Sequence, residues 1–97
     1  MPRELELVKK ILEVLRSRGH FAVKYFGSSP FATAGIPDIL ACVHGRFVAI
    51  EAKALGCKPT LLQIKKGEEI IASGGVSFVC DSMDSFYAQL EKNKIIL

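Results

Sequence analysis

The chain has no apolar run near the roughly 18 residues that a membrane span requires. Its first residues, MPRELELVKK, lack the apolar stretch of a secretory leader, so a cytoplasmic protein is expected, with no membrane partner. The three cysteines are odd in number, and none is paired as CxxC. This argues against both a disulfide framework and a zinc site. Cys42 and Cys80 sit in apolar strand-like runs and read as core residues. GxSxG, P-loop and GxGxxG patterns are all absent, and no small-molecule cofactor is expected. Neither a zinc finger nor a DNA-recognition helix is visible, and there is no repeat, linker or low-complexity segment.

What remains is an ordinary globular composition, 49% apolar and 24% charged, over 97 residues. That is enough for one domain, residues 1–97, with a single modest core. The net charge of +3 is unevenly distributed. Residues 1–66 carry eleven Lys and Arg against five acids, a balance of +6, and residues 67–97 carry two against five, a balance of −3. Three acids of the first part are Glu4, Asp38 and Glu51. If these converge on a cation, the surface left around them is basic and suits a phosphate backbone. The alternative is a soluble domain with an ordinary lysine-rich surface.

Periodicity predicts the elements. Over residues 4–18, Leu5, Leu7, Val8, Ile11, Leu12, Val14 and Leu15 fall in one arc of a helix that ends at Gly19. Residues 20–26 read as a strand, and 27–37 as a loop rich in Gly, Ser and Pro. Residues 38–43 and 46–53 are two strands joined by a tight turn at His44-Gly45. A second helix spans 60–73, a short strand 76–80, and a last helix, capped by Asp81 or Ser82, runs to about residue 91. The tail NKIIL is either a further strand or docked apolar chain. The fold class is α/β, a mixed sheet flanked by helices in the order α-β-β-β-α-β-α.

Several polar residues interrupt these patterns. Glu4 lies near the centre of the apolar arc of the first helix, whereas Glu6 and Glu13 point away. Its alternative role is an acid favourably placed in a first helical turn. With a two-residue turn at 44–45, paired positions sum to 89, and Asp38 lies opposite Glu51 on one sheet face. Like charges across a ladder repel, and a divalent cation between them would remove the repulsion. A three-residue turn would slip this register, leaving Asp38 a loop residue and Glu51 an edge acid. Lys53, two residues on, shares the face of Glu51 and could orient a water or stabilise charge developing on a phosphate. Otherwise it pairs with Glu51 at a strand end. The side chain of Ala52 points away, but its carbonyl stays near the acids. Gln63 fits a capping box with Thr60. His20 and His44 read as strand-start and turn residues.

Together, PD-x12-EAK and an N-terminal helix carrying an acid resemble the PD-(D/E)xK nuclease superfamily. The order of acidic helix, strand, loop, GIPD, hairpin, EAK, KPTLLQ and helix is similar to its VRR-Nuc group, the virus-type replication-repair nucleases, in their stand-alone phage and bacterial form. The start Glu4-Leu5-Glu6-Leu7-Val8 also resembles that of archaeal Holliday-junction resolvases. The likeness spans residues 4–90. It implies a restriction-endonuclease-like fold. It also implies metal binding by Asp38, Glu51 and the Ala52 carbonyl, with Glu4 completing the shell or orienting a bound water. Lys53 would stand at the attacking water, and Gln63 becomes a site residue. The family's basic residue on the first strand is matched only loosely, by Lys24.

The implied activity is Mg²⁺- or Mn²⁺-dependent hydrolysis of DNA phosphodiesters, with one or two ions per site. Branched DNA such as a four-way junction is the expected substrate. Symmetric incision of such a junction needs two sites, so a homodimer is expected. Phe78, Phe86, Tyr87 and the IIL tail are its candidate interface, each with ordinary core as its alternative. The loop Gly27–Gly35, with Ser28, Ser29 and Phe31, is the candidate DNA contact. The rival readings are a sequence-specific restriction-type endonuclease and a non-catalytic nucleic-acid-binding module.

Overall fold

The computed structural model describes residues 2–97. Three helices and four strands follow the expected order: α1 (Pro2–Ser17), β1 (Phe21–Lys24), β2 (Ile39–Val43), β3 (Arg46–Ala52), α2 (Leu61–Ala72), β4 (Val76–Cys80) and α3 (Met83–Lys92). They build a mixed sheet in the order β1-β2-β3-β4. The first three strands are antiparallel, and β4 runs parallel to β3 after the α2 crossover.

The hairpin turn explains the register. His44 and Gly45 both have positive φ, 49° and 82°, the backbone of a type I′ turn whose twist matches that of paired strands. Val43 therefore faces Arg46, and Ile39 faces Ile50. These pairs sum to 89, as the two-residue turn requires.

Strand alternation then sorts the side chains. Ile39, Ala41, Val43, Val48, Ile50, Val76 and Phe78 point to one face and are buried. α1 closes this face with Leu7, Val8, Ile11, Leu12 and Leu15, and α3 closes it with Phe86 and Leu90. Burying each large side chain is worth about 1.5–3 kcal/mol, so this face supplies most of the fold's stability. α2 lies on the opposite face against β4, where Gly67 brings the helix close to Ser77. No α2 residue is fully buried.

Several expectations change. α1 begins at Pro2 rather than residue 4, because proline is tolerated in a first helical turn. Leu5 falls in the predicted apolar arc but is 47% exposed. Cys42 is exposed rather than core: it projects from β2 on the outer face, and α2 packs on the β4 side of that face. Cys80 is buried as expected, and burial pushes its thiol up to about 12. Phe78 and Phe86 pack on each other, with ring centroids 6.4 Å apart, beneath α3. They therefore belong to the core, and neither can serve as an interface. Of the other interface candidates, Ile95 is also buried, while Tyr87 and Ile96 are exposed. The tail is docked chain: the Ile95 amide donates to the Leu90 carbonyl at 2.8 Å.

Candidate active site

The site forms where β2 enters the sheet and β3 leaves it. Asp38 lies one residue before the β2 ladder, and its carbonyl accepts the Tyr25 N–H at 2.7 Å. Extending the register places it across from Glu51, the last residue but one of β3. The Asp38 Oδ2 accepts the Ala52 N–H at 3.0 Å. The N–H and C=O of one strand residue point to the same side, so the Ala52 carbonyl is directed toward Asp38 as well.

Glu51 is the one buried charged residue among those described, 5% exposed. Burial raises its carboxyl from the ordinary 4.5 to about 7, and the neighbouring Asp38 charge adds to the rise. Lys53 opposes it, with its Nζ 3.4 Å from Glu51 Oε2. The same Oε2 accepts a hydrogen bond from Gln63 Nε2 at 3.1 Å. Glu51 Oε1 is buried with no partner, a costly state for a carboxylate oxygen.

Gln63 forms the capping box expected of it and also reaches Glu51. Its Oε1 accepts the Thr60 N–H at 2.8 Å, while Thr60 Oγ1 accepts the Gln63 N–H at 3.2 Å, which completes the capping box. Because Oε1 faces the backbone donor, the amide nitrogen must face Glu51. One side chain thus starts α2 and orients the buried acid.

Gly35 of the GIPD stretch sets the distance between these parts. It has φ +82°, and a Cβ there would stand 2.7 Å from Leu62 Cγ and 3.0 Å from the Leu62 carbonyl. Only glycine lets the loop lie this close to α2, which holds the loop's end at Asp38 near the helix that carries Gln63.

Glu4 approaches from the other layer. Its Oε2 accepts the Ala54 N–H at 3.2 Å, tying α1 to the chain just beyond Lys53. It lines a small cleft with Leu5, Val8, Lys24 and Asp38. This cleft also accounts for the exposure of Leu5. Among the described residues no three His, Cys, Asp or Glu side chains stand together as a ready cage. The groups that could hold a cation are Asp38, Glu51 and the Ala52 carbonyl. Glu4 stands beside them but is turned to a backbone amide.

Lys24 is placed better than the sequence suggests. Its Nζ lies 3.9 Å from Asp38 Oδ1 and 5.0 Å from the centre of the Phe26 ring. The β1–β2 register, with Lys24 opposite Ile39, sets it beside Asp38. The loop between these strands is too long for its register to be read from the sequence.

A buried, unsatisfied carboxylate beside a second acid, a lysine and a glutamine suits binding of a cation and a phosphate better than it suits stability. No family model matches the chain. A protein of Acyrthosiphon pisum secondary endosymbiont phage 1, described as "Putative nuclease p44", is 34% identical over 83 residues, which are 84% of this chain and 86% of that protein. A solved "VRR_NUC domain" has the same fold, with a TM-score of 0.78 and 24% identity over 92% of this chain and 95% of that one. Carrying the expected motif on this fold, and related along most of its length to the phage protein, the chain belongs to the VRR-Nuc family.

Proposed function

We propose that the protein is a cation-dependent endodeoxyribonuclease that acts on branched DNA, in the cytoplasm and as a homodimer. The observation that carries the hydrolytic reading is the unpartnered Oε1 of Glu51, a buried carboxylate near that of Asp38, with Lys53 at hand. The donor set fits a hard divalent ion: two carboxylates and a carbonyl leave the remaining positions to water, as Mg²⁺ prefers, and Mn²⁺ accepts the same oxygens. Such an ion would offset the repulsion between the acids and polarise the scissile phosphate.

The chain's own residues do the rest. Asp38 and Glu51 would hold the ion, with the Ala52 carbonyl beside them. Gln63 fixes the Glu51 carboxylate through Oε2, which keeps Oε1 free. The Lys53 ammonium orients the attacking water and stabilises the extra negative charge of the pentacovalent phosphorus. Glu4 positions the backbone at Ala54 and reaches the cleft from the α1 side. Lys24 stands on the β1 side of Asp38, where a DNA phosphate flanking the scissile bond would lie.

The homodimer draws support from an apolar strip on the outer sheet face. Phe21, Cys42 and Phe47 are cross-strand neighbours, and all three are exposed. A homodimer would supply the two sites that symmetric incision of a four-way junction needs, which agrees with branched DNA as substrate.

The test is a panel of four-way junction, flap and linear duplex, each with Mg²⁺ or EDTA. Cleavage of the junction in Mg²⁺ alone is expected. Failure to cut any substrate would refute the nuclease reading, equal cutting of all three the junction preference, and a monomer by analytical ultracentrifugation the dimer.

A further inference from the structure

The loop between β1 and β2 ends in Asp38, but its first part, residues 25–33, has no part in the hydrolytic chemistry and is nonetheless held by specific bonds. Tyr25 closes its base: the hydroxyl accepts the Thr33 N–H at 2.8 Å and lies 3.3 Å from the Thr33 carbonyl, to which it donates. Ser29, Pro30, Phe31 and Ala32 form a β-turn, with the Ala32 N–H donating to the Ser29 carbonyl at 3.0 Å. Proline occupies the second position, where its fixed φ favours the turn. The Ser29 hydroxyl accepts the Phe31 N–H at 3.1 Å. These bonds leave Phe31 94% exposed at the turn, the most exposed of the large apolar residues among those described.

An exposed phenylalanine on a slack loop would carry little meaning. Here the backbone that presents it is fastened on both sides and connected to the site. Tyr25 pairs through its amide with the Asp38 carbonyl and follows Lys24, whose ammonium contacts Asp38. Phe26, 69% exposed, lies beneath the same ammonium. Phe31 is two residues from Thr33, so its Cα stands within about 7 Å of the residue that Tyr25 holds. The turn that carries Phe31 is therefore tied through Tyr25 to the strand end that bears Lys24 and pairs with Asp38.

We propose that Phe31 is a stacking platform for an unpaired nucleobase adjacent to the scissile phosphate. An aromatic ring offers a π-face to any base without reading its sequence, and a base is more easily unstacked at a branch point, where the duplex stack is interrupted, than inside a duplex. Fastening the backbone of the turn before binding reduces the ordering cost that a flexible loop would add. Phe31 would thus be a specificity-determining residue. It would distinguish open from continuous DNA, while Asp38, Glu51 and Lys53 act on the phosphate in either case. This assignment rests on the nuclease reading for its meaning but not for its test.

The experiment measures binding in EDTA, so cleavage does not enter. A four-way junction and a single strand, each with 2-aminopurine, are titrated with wild-type protein, Phe31→Ala and Phe31→Trp, and a fully paired duplex is the control. Wild type and Phe31→Trp should alter the 2-aminopurine fluorescence. Phe31→Ala should lose that change and bind junction and single strand roughly 5- to 150-fold more weakly, the range typical of one base–aromatic stack. Its duplex affinity and thermal midpoint should stay at wild-type values. Equal junction affinity and fluorescence for Phe31→Ala would overturn the proposal, as would equal weakening on junction and duplex. If wild type gives the fluorescence change but never cleaves in Mg²⁺, stacking stands and the nuclease reading fails.

Discussion

Replacing Glu51 by glutamine should make the cation-free protein more stable while ending cleavage. Glu51 is 5% exposed, and burial with the nearby Asp38 charge lifts its carboxyl from 4.5 to about 7. The folded chain therefore holds this proton more tightly than the unfolded chain. The resulting stability is fully present below pH 4.5 and is lost as the pH rises through about 7. The shift corresponds to about 3 kcal/mol across that window. Glu51→Gln keeps the shape and removes the charge, but it strands Lys53, so a net gain of about 1–2 kcal/mol is expected at pH 8 and none at pH 4.5. For a domain of this size each kcal/mol moves the melting midpoint by about 4–8 °C. Thermal unfolding of both proteins in EDTA at pH 4.5, 6 and 8 measures the effect, and saturating Mg²⁺ should raise wild type far more than the variant. A Glu51→Gln difference that is flat with pH, or a variant less stable than wild type at pH 8, would refute the account of Glu51 as a strained acid.

Other perturbations separate the parts of the site. Lys53→Ala should bind a four-way junction as wild type does but cleave it at least about 100-fold more slowly in single-turnover assays, the loss typical of one charge-stabilising donor. Gln63→Ala should cost about 0.5–2 kcal/mol by chemical denaturation through its half of the α2 cap, and should also weaken Mg²⁺ binding by calorimetry. Thr60→Ala should cost a similar amount of stability with little change in Mg²⁺ affinity. Gly35→Ala should destabilise by more than about 1 kcal/mol, since positive φ and the Leu62 contact both oppose a side chain, and cleavage should fall with it.

The hairpin was the most legible part of the chain. Its His44-Gly45 turn fixes the pairing by local chemistry, and alternation then carries Glu51 and Lys53 to one face without knowledge of the remaining fold. The Gln63 cap was legible because a capping box is a short-range pattern, whereas its bond to Glu51 depends on where α2 sits against the sheet. Lys24 was harder: its place depends on a strand pairing closed by a long loop, which no local rule sets. Cys42 and Phe78 show the same limit. Alternation tells which residues share a face, but which face the helices cover is settled by packing across the whole domain. Glu4 was read correctly as facing inward, yet its partner, the Ala54 amide, lies fifty residues away and leaves no trace in local pattern.

The Gln63 amide has a consequence for motion. α2 buries no side chain completely, so it belongs to the parts of the chain that open most easily. Its first turn is nonetheless joined through Gln63 to Glu51, the group whose charge a cation would settle. Filling the site and ordering the helix therefore draw on one equilibrium: each must favour the other by the same factor. A cation arriving at the carboxylates should slow amide hydrogen exchange along α2, and a fraying α2 should let the cation go.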